Sequence, residues 1–413
     1  MEQDGIERLI QSSRRVIGCV APDVEPGVDV ASWINVSRFV DASGDDNPLY
    51  LDVQYGAGSV HHTMLAPPTF VLAVRAPGSA GVLDLTEHRL TGTLSSLHLS
   101  WDDTVRLGDV LAGRVCVGDV TRRLAAAGQA RACVLSTVEY QRNGVGFARG
   151  WAEVEVAPLD GDPSLFPLRS IHRYEPADVE QMVRELDTEQ PSRGAVPRFW
   201  SDVAVGETTP TVLKGPLTLS DLELWVFAEG RPVRAGNLHY TRLAELNGHR
   251  AVNPVTGWPA WDHAETSLDS AATAPSGPSA PGGLLFTLAG QHVTHWMGDD
   301  AFLWQLSVRI MQPFCYGDAL RLTGTVVDRY TVTDEASTRY HAITLLVVGR
   351  NQLGEPVVEA HAVVFLPDPG KPVRLPVRGG LTCDELWRSD ADVRRSPGRV
   401  HRAKQATPPQ GKP

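Results

Sequence analysis

The chain has 413 residues, which is enough for two or three domains with buried cores. Its net charge of -11 at pH 7 argues against nucleic acid as the main partner, although a local basic patch could still bind a phosphate. There is no apolar run of roughly 18 residues, as a membrane span requires, and the charged N-terminus lacks the apolar core of a signal peptide. We therefore expect a cytoplasmic protein with no membrane partner.

The five cysteines are scattered, odd in number and without a CxxC pair. This pattern is typical of a reducing compartment, and it predicts neither a disulfide framework nor a zinc site. The sequence also lacks the glycine fingerprint of a dinucleotide-binding domain and a P-loop. We therefore predict no metal and no cofactor.

The first informative segment is FVDASGDDNPLY, residues 39–50. Val36, Phe39 and Val40 fall near helical spacing, which predicts a short amphipathic helix that ends within this run. Gly44 suits the C-terminal cap of that helix. The chain then leaves the helix through a turn.

That turn carries two acids and an amide. Asp45 and Asp46 follow the glycine, and Asn47 with Pro48 cannot continue a helix. In an unrelated sequence, acids beside Asn-Pro would more often cap a turn than perform chemistry. The flanking residues favour a functional site here.

The run resembles the hydratase motif of the MaoC-like family of hotdog-fold hydratases and dehydratases, which is roughly Gly-Asp-x-Asn-Pro-apolar-His. The resemblance implies that Asp45 is the catalytic base and that Asn47 helps to hold the reacting water. Tyr50 stands where the family has its catalytic histidine, so it would be an altered acid or orienting group, or a tyrosine that merely packs in the loop. The following Ala-Pro-Pro-Thr-Phe also resembles the family's N-terminal hotdog. The substrate-binding residues implied in this half are Asp46, Pro68 and Thr69.

The two halves of the chain repeat each other. Gly108-Asp109 aligns with Gly317-Asp318, each followed by alternating apolar residues, and Asn143 aligns with Asn351. Each half is predicted to contain a helix followed by long antiparallel strands, which suits an α+β layer architecture. The family resemblance selects a double hotdog, with two antiparallel sheets each wrapped round a helix. Two fused copies would pair their sheets as a pseudo-dimer.

The predicted boundaries follow this repeat. Residues 1–172 form the N-terminal hotdog and residues 199–375 form the C-terminal hotdog. Residues 173–198 form a linker, in which Pro176 to Glu189 is predicted to be a helix with proline in its first turn. The Arg-rich residues 376–413 are predicted to be a disordered tail.

The second half has no intact copy of the motif. Alignment of the repeat places Arg231 where Asp45 stands, and an arginine cannot act as a base, although it could bind a carboxylate or a phosphate. The missing imidazole could come from another histidine, because two packed hotdogs share a cleft. His239 and His295 are the strongest candidates, and His61, His62 and His263 are weaker ones.

Three functions remain open from the sequence. The first is a MaoC-like hydro-lyase that acts on an acyl chain bound to CoA or to an acyl-carrier protein. The second is a repurposed hotdog enzyme of a specialised, polyketide-like pathway that catalyses another elimination, an isomerisation or a cyclisation. The third is a non-catalytic subunit that binds an acyl chain. A homodimer is compatible with each of them.

Overall fold

The computed structural model describes residues 5–21, 27–78, 83, 85, 88, 90–124, 128–158, 169–229 and 277–379. Arg231, His239 and His263 lie outside the described residues, as does the chain from residue 380 onward. None of the described helices is long and apolar enough to cross a bilayer.

Eight α-helices lie in the described part of the chain. The first half contains α1 (Gly5–Ser13), α2 (Trp33–Ser43), α3 (Pro48–Leu51), α4 (Val53–Gly58) and α5 (Val71–Val74). The linker contains α6 (Pro176–Asp187), and the second half contains α7 (Leu219–Ala228) and α8 (Gly282–Met297). The linker helix is confirmed: proline opens its first turn, and a capping box between Glu175 and Asp178 closes its N-terminus.

Within the described residues, nine strands form a single antiparallel sheet. The first half contributes β1 (Leu90–Trp101), β2 (Leu111–Leu124), β3 (Ala130–Arg142) and β4 (Val145–Pro158). The second half contributes β5 (Val212–Lys214), β6 (Phe302–Ile310), β7 (Leu320–Thr333), β8 (Arg339–Asn351) and β9 (Pro356–Leu366). The strand order is β2-β3-β4-β1-β6-β9-β8-β7-β5.

The sheet is continuous across the two halves, which corrects the prediction of two sheets. Strands β1 and β6 pair in antiparallel register from Ser96 opposite Arg309 to Ser100 opposite Gln305. Each of these strands would otherwise be an open edge with unpaired backbone groups, and their pairing satisfies both. The predicted hotdog architecture, a helix against a large antiparallel sheet, agrees with the structure.

Helix α8 is buried almost all round. From Leu284 to Thr294 every residue is buried, and the helix contacts strands of both halves. Helices α2 and α7 pack against each other, with the rings of Phe39 and Trp225 at 5.5 Å between centroids. One hydrophobic core therefore spans both halves and fixes α2 relative to α8.

The predicted repeat is visible in the turns before β2 and β7. Gly108 and Gly317 both have positive φ, 89° and 79°, and the aspartate that follows each glycine accepts the backbone N–H three residues earlier. Asn143 donates to Asp109 at 2.8 Å. Its counterpart is Gln352, which donates to Asp318 at 2.8 Å, and not the predicted Asn351. The equivalence moves by one residue because the β8–β9 hairpin is longer than the β3–β4 hairpin.

The folded body extends past the predicted start of the tail. Val377 is buried, and its N–H donates to the carbonyl of Asp102 at 2.7 Å. Val377 therefore contacts the first half, and Arg378 and Gly379 hydrogen-bond to Asp334 and Glu335 of the second half, beyond the boundary predicted at residue 375.

Candidate active site

The motif forms a turn that directs one of its two acids inward. Helix α2 buries Val36, Phe39 and Val40 and ends at Gly44, which has φ 58° and ψ 44°. Only glycine adopts this left-handed conformation readily, and here it reverses the chain. The side chain of Asp45 is 2% exposed, whereas that of Asp46 is 69% exposed.

Asp45 is paired with a histidine from the second half. The Nε2 of His295, in the last turn of α8, lies 2.9 Å from Asp45 Oδ1. The same oxygen accepts the backbone N–H of Asn47 at 3.0 Å. Among the described residues both bonds end on Oδ1, which leaves Oδ2 for a water or substrate. Of the candidate histidines in the described chain, His295 is therefore the one that reaches the acid.

Two further side chains of the second half hold the carbonyl group of Gly44. Lys214 Nζ, at the end of β5, and Gln291 Nε2, one helical turn before His295, each donate to that oxygen at 2.9 Å. Burial lowers the pKa of Lys214, while the negative charges of Asp45, Glu189 and Asp46 oppose that shift. Sequence reasoning missed both residues, because nothing in a three-residue strand or an apolar helix signals a contact with the other half.

Asn47 connects the motif to a second acid, Asp299, by a hydrogen bond. Its Oδ1 accepts the N–H of Leu49 at 2.9 Å and so caps α3, and its Nδ2 donates to Asp299 at 3.1 Å. The Asp299 carboxylate also accepts the hydroxyl of Tyr55 at 2.7 Å, and His61 Nε2 lies 2.9 Å from the Asp299 carbonyl oxygen. Asn47 therefore has one amide hydrogen left for a water. Asp299 was missed, although it and Asp300 are two adjacent acids in an otherwise apolar segment.

Tyr50 is a buried neutral phenol beside this network. Its side chain bonds to Thr294 of α8, and burial together with the charges of Asp45 and Asp299 holds its pKa well above the ordinary value. At neutral pH it can donate a proton in a hydrogen bond but cannot act as a base.

An apolar pocket lies beside Tyr50 and Asp299. Its free space, including the open mouth, is about 470 Å³, and its walls include Trp101, Phe302 and Leu303. Asp45 and His295 do not line it. Asn47 connects the pocket to the pair, because its side chain donates to Asp299 and its backbone N–H donates to Asp45.

The remaining predicted residues lie around this cleft. Pro68 lines the pocket, and Thr69 packs so tightly against α8 that a Cβ at Gly290 would come within 2.7 Å of the threonine methyl group. The exposed Asp46 has a carboxylate oxygen 3.6 Å from His295 Nε2. His62 is exposed.

The acids and the histidine could also hold a cation. Ligand atoms of Asp45, Asp46 and His295 lie within 4.8 Å of one another. Two carboxylates and one imidazole suit several divalent ions. The direct His295–Asp45 hydrogen bond would have to open for the ion to enter, because both groups would turn their lone pairs to it.

Comparisons with known proteins agree with this fold. A family model described as "FAS1-like, dehydratase domain region" matches residues 25–148. A solved "MaoC-like dehydratase" superposes with a TM-score of 0.53 at 16% identity, over 83% of this chain and 96% of that one. A putative MaoC domain dehydratase from Chloroflexus aurantiacus J-10-fl gives 0.51 at 12% identity, over 84% and 97%. The chain has the fold of the MaoC-like hotdog dehydratases. The resemblance to that family, predicted from the motif, is confirmed.

A third solved structure, a conserved protein of Mycobacterium tuberculosis described as a double hotdog, gives a TM-score of 0.45 at 14% identity, over 83% of this chain and 97% of that one. No curated protein matches the chain.

Proposed function

We propose that the protein is a hydro-lyase that removes water from 3-hydroxyacyl thioesters, or adds it to enoyl thioesters, with the acyl group on CoA or on an acyl-carrier protein. The observation that carries the proposal is the buried Asp45–His295 pair, 2.9 Å apart and connected through Asn47 and Asp299 to an apolar pocket. A carboxylate and an imidazole around one site can move the protons that this reaction requires.

In the hydration direction, Asp45 Oδ2 takes a proton from water while the water oxygen bonds to C3 of the enoyl group. The electron pair of the C2–C3 double bond moves toward the thioester oxygen, and the proton held by the pair then passes to C2. Dehydration runs through the same steps in reverse: C2 loses a proton, and the C3 hydroxyl leaves as water. His295 keeps Asp45 in place in both directions of the reaction, because its Nε2–H donates to Oδ1 of Asp45.

The neighbouring residues fit supporting roles. Asn47 fixes Asp45 through its backbone N–H and keeps one amide hydrogen for the reacting water. Tyr50 acts as a donor that orients the substrate or the water at the pocket wall. The apolar pocket would take the acyl chain, whose burial contributes binding free energy in proportion to its area.

The test is a panel of enoyl and 3-hydroxyacyl thioesters of different chain lengths, assayed with the wild type and with Asp45→Asn. Removal of a general base lowers kcat by about 10²- to 10⁴-fold. The matched control is Asp41→Asn, which changes an exposed acid four residues earlier, in the last turn of α2, and should retain wild-type rates. Equal rates for wild type and Asp45→Asn would remove Asp45 from the mechanism.

The panel also distinguishes the competing functions. Inertness toward every simple thioester, with tight binding of a bulky β-functionalised acyl group, would favour a repurposed hotdog enzyme. Binding of acyl thioesters with no turnover of any of them would favour the non-catalytic subunit.

A further inference from the structure

We propose that Lys214 is a positioning residue of this site, whose ammonium group holds the carbonyl end of α2 and thereby directs Asp45 toward His295. The inference rests on the proposed hydro-lyase function, but part of its test requires no turnover. It assigns a role to a cation that belongs to the half without the motif.

The first support is geometric. Lys214 Nζ donates to the carbonyl of Gly44 at 2.9 Å and lies 3.4 Å from the carbonyl of Ser43. These are the last carbonyls of α2, immediately before Asp45. A lysine that reaches such carbonyls from another domain fixes the direction in which the next residue leaves the helix.

The second support is electrostatic. Asp45 follows the C-terminus of α2, where the helix dipole places a partial negative charge that opposes an adjacent carboxylate. Asp45 is also buried, which costs its charged form further free energy. A positive charge at the same helix end offsets both effects, and Lys214 supplies it.

The charges around Lys214 attract its ammonium group to the turn after α2, which carries Asp45 and Asp46. Asp45 and Asp46 face it from the motif, and Glu189, which accepts the N–H of Leu213 at 2.8 Å, faces it from the linker. On α8, His295 bonds to Asp45, and His292 interacts with both His295 and Lys214. Because the ammonium group already lies against two carbonyl groups and its charge is attracted by three acids, it is a poor candidate for binding a substrate phosphate.

The expected effect is on the chemical step. Without the ammonium group, Gln291 alone among the described residues holds the carbonyl of Gly44, so Asp45 leaves the helix in a less defined direction. We therefore expect kcat to fall while KM, which depends on the apolar pocket, stays near the wild-type value.

The experiment compares the wild type with Lys214→Met, Lys214→Gln and Lys214→Arg. The methionine and glutamine variants should lower kcat by about tenfold with little change in KM, whereas arginine, which keeps the charge and the donors, should restore kcat. The control is Lys371→Met, which changes an exposed lysine and should match the wild type. In parallel, NMR spectra of each folded variant without substrate should show displaced backbone amide signals for residues 44–47 in the two neutral variants and wild-type signals in Lys214→Arg.

The outcomes separate the two proposals. If the wild type turns over no thioester, the proposed function fails, while the amide signals of residues 44–47 still decide the role of Lys214. If those signals and kcat both stay at their wild-type values in folded Lys214→Met, the inference is overturned. Loss of folding in both neutral variants would assign Lys214 to stability alone and would equally overturn it.

Discussion

Helices α2 and α7 are counterparts in the two halves and pack against each other, yet their C-terminal ends differ. Helix α2 ends in a left-handed Gly44 and turns Asp45 toward His295. Helix α7 ends at Glu229, whose backbone stays in the right-handed region and whose carboxylate accepts the indole N–H of Trp225 at 2.7 Å. The end of α2 directs Asp45 toward the other half, whereas the end of α7 keeps Glu229 hydrogen-bonded within its own helix.

This difference indicates that the two halves contribute different side chains to one candidate site. The second half has lost the acid of the motif, but it contributes the imidazole of His295, the amide of Gln291 and the ammonium of Lys214. A histidine from α8 therefore reaches Asp45, while Tyr50 occupies the position at which the resembling family motif has its histidine. Each prediction below tests one part of this division.

The largest effect is expected from His295→Gln, which removes the imidazole donated by the second half. We expect kcat to fall by about 10²- to 10⁴-fold, because the proton relay loses one of its two groups. His62→Asn is the matched control: this histidine is exposed at positive φ, which asparagine tolerates, and its activity should be unchanged. Near-normal turnover by His295→Gln would assign the imidazole to packing.

The contact between Asn47 and Asp299 is the next target. Asn47→Ala should lower the free energy of unfolding by about 2–4 kcal/mol, because it removes a helix cap and leaves a buried carboxylate with one partner fewer. The comparison variant is Asp52→Ala, which removes an exposed cap from α4 with no bond to the other half and should cost about 1 kcal/mol. Urea denaturation measures both values, and equal losses would show that the Asn47–Asp299 bond adds nothing.

Tyr50→Phe tests whether the residue at the position of the family's histidine does chemistry. The phenol bonds to Thr294, so we expect a loss of about 1 kcal/mol in stability and a fall in kcat of less than about tenfold. Parallel measurements of thermal unfolding and steady-state kinetics give both numbers. A fall in kcat as large as that of Asp45→Asn would instead make Tyr50 the acid of the reaction.

The stability of the contact between the two halves, where β1 pairs with β6, should depend on pH. His98 on β1 is 2% exposed and lies 2.5 Å from the hydroxyl of Ser307 on β6, and burial lowers its pKa from 6.5 to about 4. The unfolded chain therefore takes up this proton as the pH falls from 6.5, while the folded chain takes it up only near 4. The free energy of unfolding should decrease across that window, by at most about 3 kcal/mol from this group.

The check on this pH effect is urea denaturation at pH 7 and pH 4.5. His98→Gln should lose less stability between the two pH values than the wild type does. The same loss in both proteins would show that His98 does not contribute to the pH dependence.

Sequence reasoning located the motif but not its partners. The end of α2, the cap at Gly44 and the turn at Asn47 follow from local rules of helix termination, and the structure confirms them. His239 and His295 were equally plausible from the sequence, because the choice depends on how α8 packs against α2. Lys214 gave no signal of its own, since its role exists only where β5 meets the end of α2.

The continuity of the sheet across the two halves could also not be predicted from the apolar pattern of the strands. Alternation of apolar residues in β1 and β6 predicts strands but does not tell which edges pair. The Asp-Asp pair after Trp296 was the one missed signal, because two adjacent acids in an otherwise apolar segment are unusual in a core.

The most direct test of the composite site is a double-mutant cycle on kcat/KM with Asp45→Asn, His295→Gln and the double variant. If the two residues act as one proton relay, the double variant should lose no more than about the larger single loss, since either change already disables the relay. Losses that add in free energy would show that Asp45 and His295 act independently, and would contradict a site shared between the two halves.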